Sequence, residues 1–178
     1  MSNALVEQQL FECKQGIYRL DHARQRDDGV LAKVFRTMSA MANAGKGATG
    51  YVLLGVADKK ADAEQIQALD GVASYKYRDF YVAGLDREAA LAGLSLSDYW
   101  KWVVQQLRGD SRLNPNLAQR IAGDARLAHY KGRSVGLFKV TALAEPVFFD
   151  GELYERSGSE TLKLSPTEFG RIYSRFTS

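Results

Sequence analysis

The chain has 178 residues, of which 46% are hydrophobic and 25% are charged, and such values are typical of a folded domain. No apolar run approaches the roughly 20 residues that a membrane-spanning helix needs, and the start of the chain lacks the pattern of a signal peptide. The single Cys13 excludes an intrachain disulfide and a cysteine-based zinc site. We therefore expect one domain over residues 1–178, cytoplasmic and without a membrane partner.

The first half of the chain has the pattern strand, helix, strand. The spacing of apolar residues predicts a strand at 10–17, a loop at 18–28, a helix at 29–44, a strand at 51–56 and a short helix at 62–69. Asp27 or Asp28 suits the N-cap of the first helix, and Gly45 and Gly47 suit its end. The near-continuous apolar run at 51–56 is typical of a strand covered on both sides.

The second half is less regular until its last third. A helix from Ser97, as its cap, to Leu107 is predicted, followed by strands at 121–130 and 134–143 that a turn at 131–133 joins. Residues 153–164 resemble a strand pair, and Ser165 and Glu168 have the spacing of a capping box. The whole pattern predicts an α/β or α+β fold, in which helices pack on a mixed sheet.

The net charge of +3 permits a polyanionic partner without demanding one. Basic residues cluster between the first strand and the first helix, where the cluster consists of Arg19, Arg24, Arg26, Lys33 and Arg36. Such a cluster is either a nucleic-acid contact or an ordinary solvated face. Two interpretations also apply to an aromatic cluster, which consists of Tyr75, Tyr77, Phe80 and Tyr81. It either stacks on unpaired bases or belongs to a core or an interface.

Four motifs, in this order, resemble the Schlafen AlbA-like domain family (the second AlbA type, or divergent AAA-associated domain). They are FECK at residues 11–14, MSAMAN at 38–43, GYVLLGVAD at 50–58, and PVFF at 146–149 followed by LYERSGSET at 153–161. Residues 43–50 are longer than the family's usual connection, and residues 71–116 are identified as an insertion into the Schlafen/AlbA-like core.

The resemblance implies a site of three carboxylates, namely Glu7, Glu12 and Asp58, as in Schlafen-type ribonucleases. Carboxylate oxygens are the ligands that Mg²⁺ or Mn²⁺ prefers, and such an ion can activate water or polarise a phosphate. Lys14, two residues from Glu12, falls on the same side of a strand and could neutralise developing charge. Glu7 and Glu12 are an odd number of residues apart, so they converge only if Glu7 precedes the strand.

The expected function is therefore a nucleic-acid-binding domain that acts as a metal-dependent ribonuclease on structured RNA such as tRNA. Lys46 in the glycine-rich loop and Arg156 would contact phosphates, although Arg156 could equally form a salt bridge with an acid of the core. The alternatives are a non-catalytic DNA- or RNA-binding module and a regulatory subunit that binds a protein, or a second copy, through residues 71–116. A role in antiphage defence follows from the resemblance alone.

Overall fold

The computed structural model describes residues 10–177, so the predicted site residue Glu7 lies outside the described residues. The α-helices are α1 (Asp28–Ala42), α2 (Lys60–Asp70), α3 (Asp86–Leu91), α4 (Leu96–Gly109), α5 (Pro115–Asp124) and α6 (Phe169–Tyr173). The strands are β1 (Phe11–Lys14), β2 (Thr49–Leu54), β3 (Val56–Ala57), β4 (Tyr75–Tyr77), β5 (Phe80–Val82), β6 (Arg126–Tyr130), β7 (Arg133–Thr141), β8 (Phe148–Phe149), β9 (Glu152–Ser157) and β10 (Glu160–Lys163). None of the helices within 10–177 has the length and apolar character needed to cross a membrane.

The largest sheet has the strand order β1-β2-β7-β6 and is mixed, because β1 runs parallel to β2 while the other pairs are antiparallel. Helix α1 covers one of its faces. Val34, Phe35 and Met38 of α1 share the main core with Val52 and Phe138 of the sheet. The side chain of Asp27 accepts a hydrogen bond from Gly29 N and so starts the helix, as predicted. The fold is thus α+β, with a mixed sheet packed against helices, and this prediction is confirmed.

Two three-stranded sheets flank the large one. The sheet β3-β5-β4 packs on the face away from α1, through a small core of Cys13, Val56, Val82 and Val135. The sheet β10-β9-β8 is tied to the end of α1 by Asn43. The Asn43 side chain donates to the carbonyls of Val147 and Tyr154, both at 2.9 Å, and accepts from Val147 N at 2.8 Å.

Three details of the sequence prediction are wrong. Strand β2 is not covered on both sides, because Tyr51 is 39% exposed. Residues 121–124 belong to α5 rather than to a strand, since Asn114 caps a helix whose apolar residues lie at helical spacing. The cap of α4 is Ser95 rather than Ser97: its side chain accepts from Asp98 N at 3.1 Å.

The segment predicted to be an insertion, residues 71–116, is built into the core. It supplies β4, β5, α3 and α4, and Leu85, Tyr99 and Leu107 are fully buried in the main core. The segment also holds a charged residue, Glu88, that is 0% exposed. The Glu88 carboxylate accepts from Tyr99 Oη at 2.6 Å, from Tyr18 N at 2.9 Å, and from Ile17 N at 2.9 and 3.1 Å.

We predict that Glu88→Gln lowers the free energy of unfolding by about 3 kcal/mol, because a neutral amide leaves the buried N–H and O–H donors poorly paired. Urea unfolding followed by circular dichroism measures this change. The matched control is Glu64→Gln, which removes an exposed acid that pairs with Lys60 and should cost less than about 1 kcal/mol. Equal stability of the two variants would contradict the assignment.

Candidate functional site

A cleft of about 1180 Å³ runs along the edge of β1, which pairs only with β2 among the described strands. It brings together three sequence-predicted residues and three that the sequence did not indicate. Its charged lining consists of Glu12, Lys14, Asp58, Lys59, Arg78 and Asp79. Phe11, Tyr51 and Phe80 contribute apolar wall. The cleft therefore combines cations, carboxylates and aromatic rings on one surface.

Both carboxylate oxygens of Glu12 are engaged. Lys14 Nζ lies 2.6 Å from Oε1, because residues two apart on a strand project to the same side. Arg156 Nη2 lies 2.9 Å from Oε2. Of the two sequence interpretations of Arg156, the salt bridge to an acid is the one observed. Glu12 is consequently held between two cations, one from its own strand and one from β9.

Arg156 is fixed in place by the β9–β10 hairpin. Its side chain is only 3% exposed, and Nη1 donates to Ser159 O at 2.9 Å and to Thr161 Oγ1 at 3.1 Å. These bonds orient the guanidinium toward β1 before any ligand arrives. A buried guanidinium fixed in this way makes a stronger pair with Glu12 than a mobile surface arginine would.

Glu12 and Asp58 approach the cleft from different sides of β1. Glu12 is paired with Val52, a main-core residue, and therefore projects toward the α1 face of the sheet. Cys13 projects to the opposite face, into the small core with Val56. Asp58 follows Val56 and Ala57 of β3 and is exposed in the cleft. The backbone of β1 thus separates the two carboxylates, although both border the same cleft.

The environment of the Cys13 thiol disfavours the reactive thiolate form. Burial, together with the negative charges of Glu12 and Asp58, raises the pKa of the thiol to about 12. A thiolate at this position would be disfavoured by both effects. Cys13 is therefore a small core residue and not a nucleophile.

The described residues do not by themselves fit a Mg²⁺ or Mn²⁺ site. No group of three His, Cys, Asp or Glu side chains able to hold a metal ion occurs within residues 10–177. Of the two predicted metal ligands that the structure describes, Glu12 and Asp58, the first already has both oxygens paired with cations. A metal site at this cleft would depend on Glu7, outside the described range, and on release of Glu12.

The predicted basic cluster is mostly occupied by internal partners. Arg19 pairs with Asp21 at 2.7 Å, and Arg26 pairs with Asp28 at 2.8 Å while lying 4.7 Å above the Trp102 ring. The Arg24 guanidinium bonds both oxygens of Asp70 and is largely buried. These ion pairs reduce the positive charge that the cluster can offer to a phosphate.

The remaining predicted contacts lie away from the cleft lining. Arg36 stacks over Tyr154 at 5.4 Å, and Lys33 and Lys46 are exposed on α1 and on the loop after it. The cations of the cleft are instead Lys14, Lys59 and Arg78. Lys59 could have been found from the sequence, because it directly follows Asp58. Arg78 could not, because only the pairing of β4 with β5 brings it beside β1.

No protein-family model matches the chain, and no curated protein matches its sequence. Among solved structures, the DIP2311 protein from Corynebacterium diphtheriae is similar, with a TM-score of 0.57 and 17% identity. The match covers 96% of this chain and 24% of that one, so the chain spans about a quarter of the solved protein. At this identity the similarity concerns the fold.

We predict that Cys13 does not react with a water-soluble aromatic disulfide at pH 8 in the folded protein, since at a pKa of about 12 roughly one molecule in 10,000 carries the thiolate. Absorbance of the released thiol measures the reaction. The same protein in urea is the control and should react completely. Complete reaction of the folded protein within minutes would contradict the assigned environment of β1.

Proposed function

We propose that this protein binds nucleic acid along the β1-edge cleft and acts there as a metal-dependent ribonuclease on structured RNA such as tRNA. The observation that carries the proposal is the meeting of Glu12, Lys14 and Asp58 at one cleft. Glu12 and Lys14 share β1 while Asp58 follows β3, and these three residues are the ones that the Schlafen-like motifs single out.

The cations of the cleft suit a phosphodiester backbone. Lys59 and Arg78 are exposed, and Lys14 is partly so. Ammonium and guanidinium groups contribute most of the affinity in sequence-independent nucleic-acid binding. The carboxylates Asp58 and Asp79 would repel phosphates close to them, which favours a path for the backbone along the lysines and the arginine.

Cleavage would require a bound metal ion and the release of Glu12 from one of its ion pairs. A bound Mg²⁺ or Mn²⁺ would polarise the scissile phosphate, with Glu7, Glu12 and Asp58 as its ligands in this proposal. Glu12 would first have to leave Lys14 or Arg156. An RNA phosphate can take over Lys14, which is partly exposed, because it offers the same charge as the carboxylate, whereas the buried Arg156 stays with Glu12. Substrate binding would then free the carboxylate that catalysis needs.

A non-catalytic nucleic-acid-binding module is the second candidate, and the double ion pair of Glu12 favours it. If Lys14 and Arg156 stay with Glu12, the carboxylate serves only to fix β1 to the β9–β10 hairpin. Nucleic acid would then bind through Lys59 and Arg78 without being cut. The two candidate functions share a binding surface and differ in whether Glu12 is released from an ion pair when nucleic acid binds.

We predict that purified protein cleaves tRNA in Mn²⁺ and not in EDTA, and that Asp58→Asn slows cleavage at least about 100-fold, because metal-ion catalysis is worth several kcal/mol. Glu12→Gln should do the same. Asp58 is exposed, so its variant is expected to fold even if Glu12→Gln does not. The control is Asp124→Asn, an exposed acid where α5 ends, before the opposite edge strand β6. Denaturing gel electrophoresis follows the products.

The outcomes separate the candidates. Salt-sensitive binding to tRNA without cleavage in any variant supports the non-catalytic module and contradicts the ribonuclease. Cleavage by Asp58→Asn at the wild-type rate contradicts the assigned site. A lack of binding to both tRNA and single-stranded DNA contradicts both candidates.

A further inference from the structure

Two tyrosines of β4 are exposed, whereas most aromatic residues of the described chain are buried or half-buried. Tyr75 is 40% exposed and Tyr77 is 52% exposed. Residues two apart on a strand project to the same side, so the two rings share one face of the β4–β5 hairpin. Tyr130, in contrast, is partly buried against the small core. The exposed rings therefore do little for the core and remain available to a ligand.

Cations lie against these rings. Lys131 Nζ is 5.6 Å from the centroid of Tyr75, and the Arg133 guanidinium is 5.5 Å from it. Arg78 lies 5.8 Å from the centroid of Tyr77. We call Tyr75, Tyr77, Arg78, Lys131 and Arg133 the tyrosine patch. Its cations are already held over the rings, so these side chains lose less conformational entropy when they bind a phosphate.

Two turns hold the patch together. Arg78 and Lys131 have φ values of +52° and +48°, a region that side chains with a Cβ rarely adopt. The rings of Tyr77 and Tyr130 meet edge to face with centroids 5.9 Å apart, and Arg133 donates to Ala73 O at 3.0 Å. At the tips of both hairpins, a residue in an unfavourable backbone conformation places a cation beside a tyrosine.

The charge of the patch selects an anionic partner. The hairpin segments 75–82 and 126–133 carry five lysine or arginine residues and one acid, Asp79. The patch also continues into the cleft, because Arg78 belongs to both, and the next residues, Asp79 and Phe80, line the cleft. Phe80 in turn packs edge-on against Phe11 at 5.6 Å. One chain of phosphates could follow this surface from the patch into the cleft.

We infer that the tyrosine patch binds an unpaired stretch of nucleic acid, whose bases stack on Tyr75 and Tyr77 while Arg78, Lys131 and Arg133 contact the phosphates. This inference rests on the proposed nucleic-acid binding and adds the form that is bound. In a duplex the faces of the bases are covered by their neighbours, so only unpaired bases can stack on a tyrosine. For a folded RNA, the bound part is a loop or a single-stranded end.

Fluorescence anisotropy with a labelled 20-nucleotide single-stranded RNA, and with the same sequence as a duplex, tests the inference. Tyr75→Ala and Tyr77→Ala should each weaken single-strand binding about 5-fold or more, whereas Tyr77→Phe keeps the ring and the affinity. Duplex binding should change less than twofold. Tyr173→Ala, at an exposed tyrosine of α6, is the control. Thermal melting verifies that each variant folds.

Each outcome decides between the two proposals. If the wild type binds single strands and both alanine variants bind equally well, the inference fails while nucleic-acid binding stands. If the wild type binds neither RNA, both proposals fail. If the alanine variants leave RNA binding unchanged and lower the sedimentation coefficient, the patch covers a second copy of this chain, and the inference is overturned.

Discussion

The arrangement of the cleft depends on one buried carboxylate. Glu88 in α3 has no access to solvent, and its oxygens bind the backbone N–H groups of Ile17 and Tyr18, just after β1 ends. Gly16 precedes them because a Cβ there would lie 2.0 Å from Glu88 Oε1. A buried charge without these donors would cost several kcal/mol, so the loop after β1 and α3 must keep their relative position. This contact fixes where the edge strand stops and therefore where the cleft begins.

The same contact joins residues 71–116 to the candidate site. Leu85 N donates to Ser134 O at 2.7 Å, and β5 pairs with β3, so the segment reaches both the large sheet and the end of β3. Its β4–β5 hairpin forms one wall of the cleft opposite β1. Residues 71–116, which the sequence predicts to be an insertion, thus form one side of the cleft. Both the cleft and the tyrosine patch therefore depend on the packing of residues 71–116 against the large sheet and β3.

Local patterns predicted the fold well and the site only in part. Alternation predicted that Glu12 and Lys14 share a side of β1, and the capping pattern at Ser165 appears in the structure, where Ser165 N donates to Glu168 at 2.8 Å. The pairing of Arg156 with Glu12 joins residues 144 positions apart, and the proximity of Arg78 to β1 depends on three strands. No local pattern encodes such distances. The ion pairs of the basic cluster are likewise hidden from local patterns, because Asp70 lies far along the chain from Arg24.

The central claim is that nucleic acid lies along β1 and the β4–β5 hairpin, and photo-crosslinking tests it most directly. A single-stranded RNA with 4-thiouridine at successive positions is irradiated with the protein, and mass spectrometry identifies the crosslinked peptides. We predict crosslinks at Phe11, Tyr51, Tyr75, Tyr77 and Phe80, the aromatic residues of the cleft and the patch. Crosslinks confined to the arginines of α4 and α5, or to the β6 edge of the large sheet, would contradict the account.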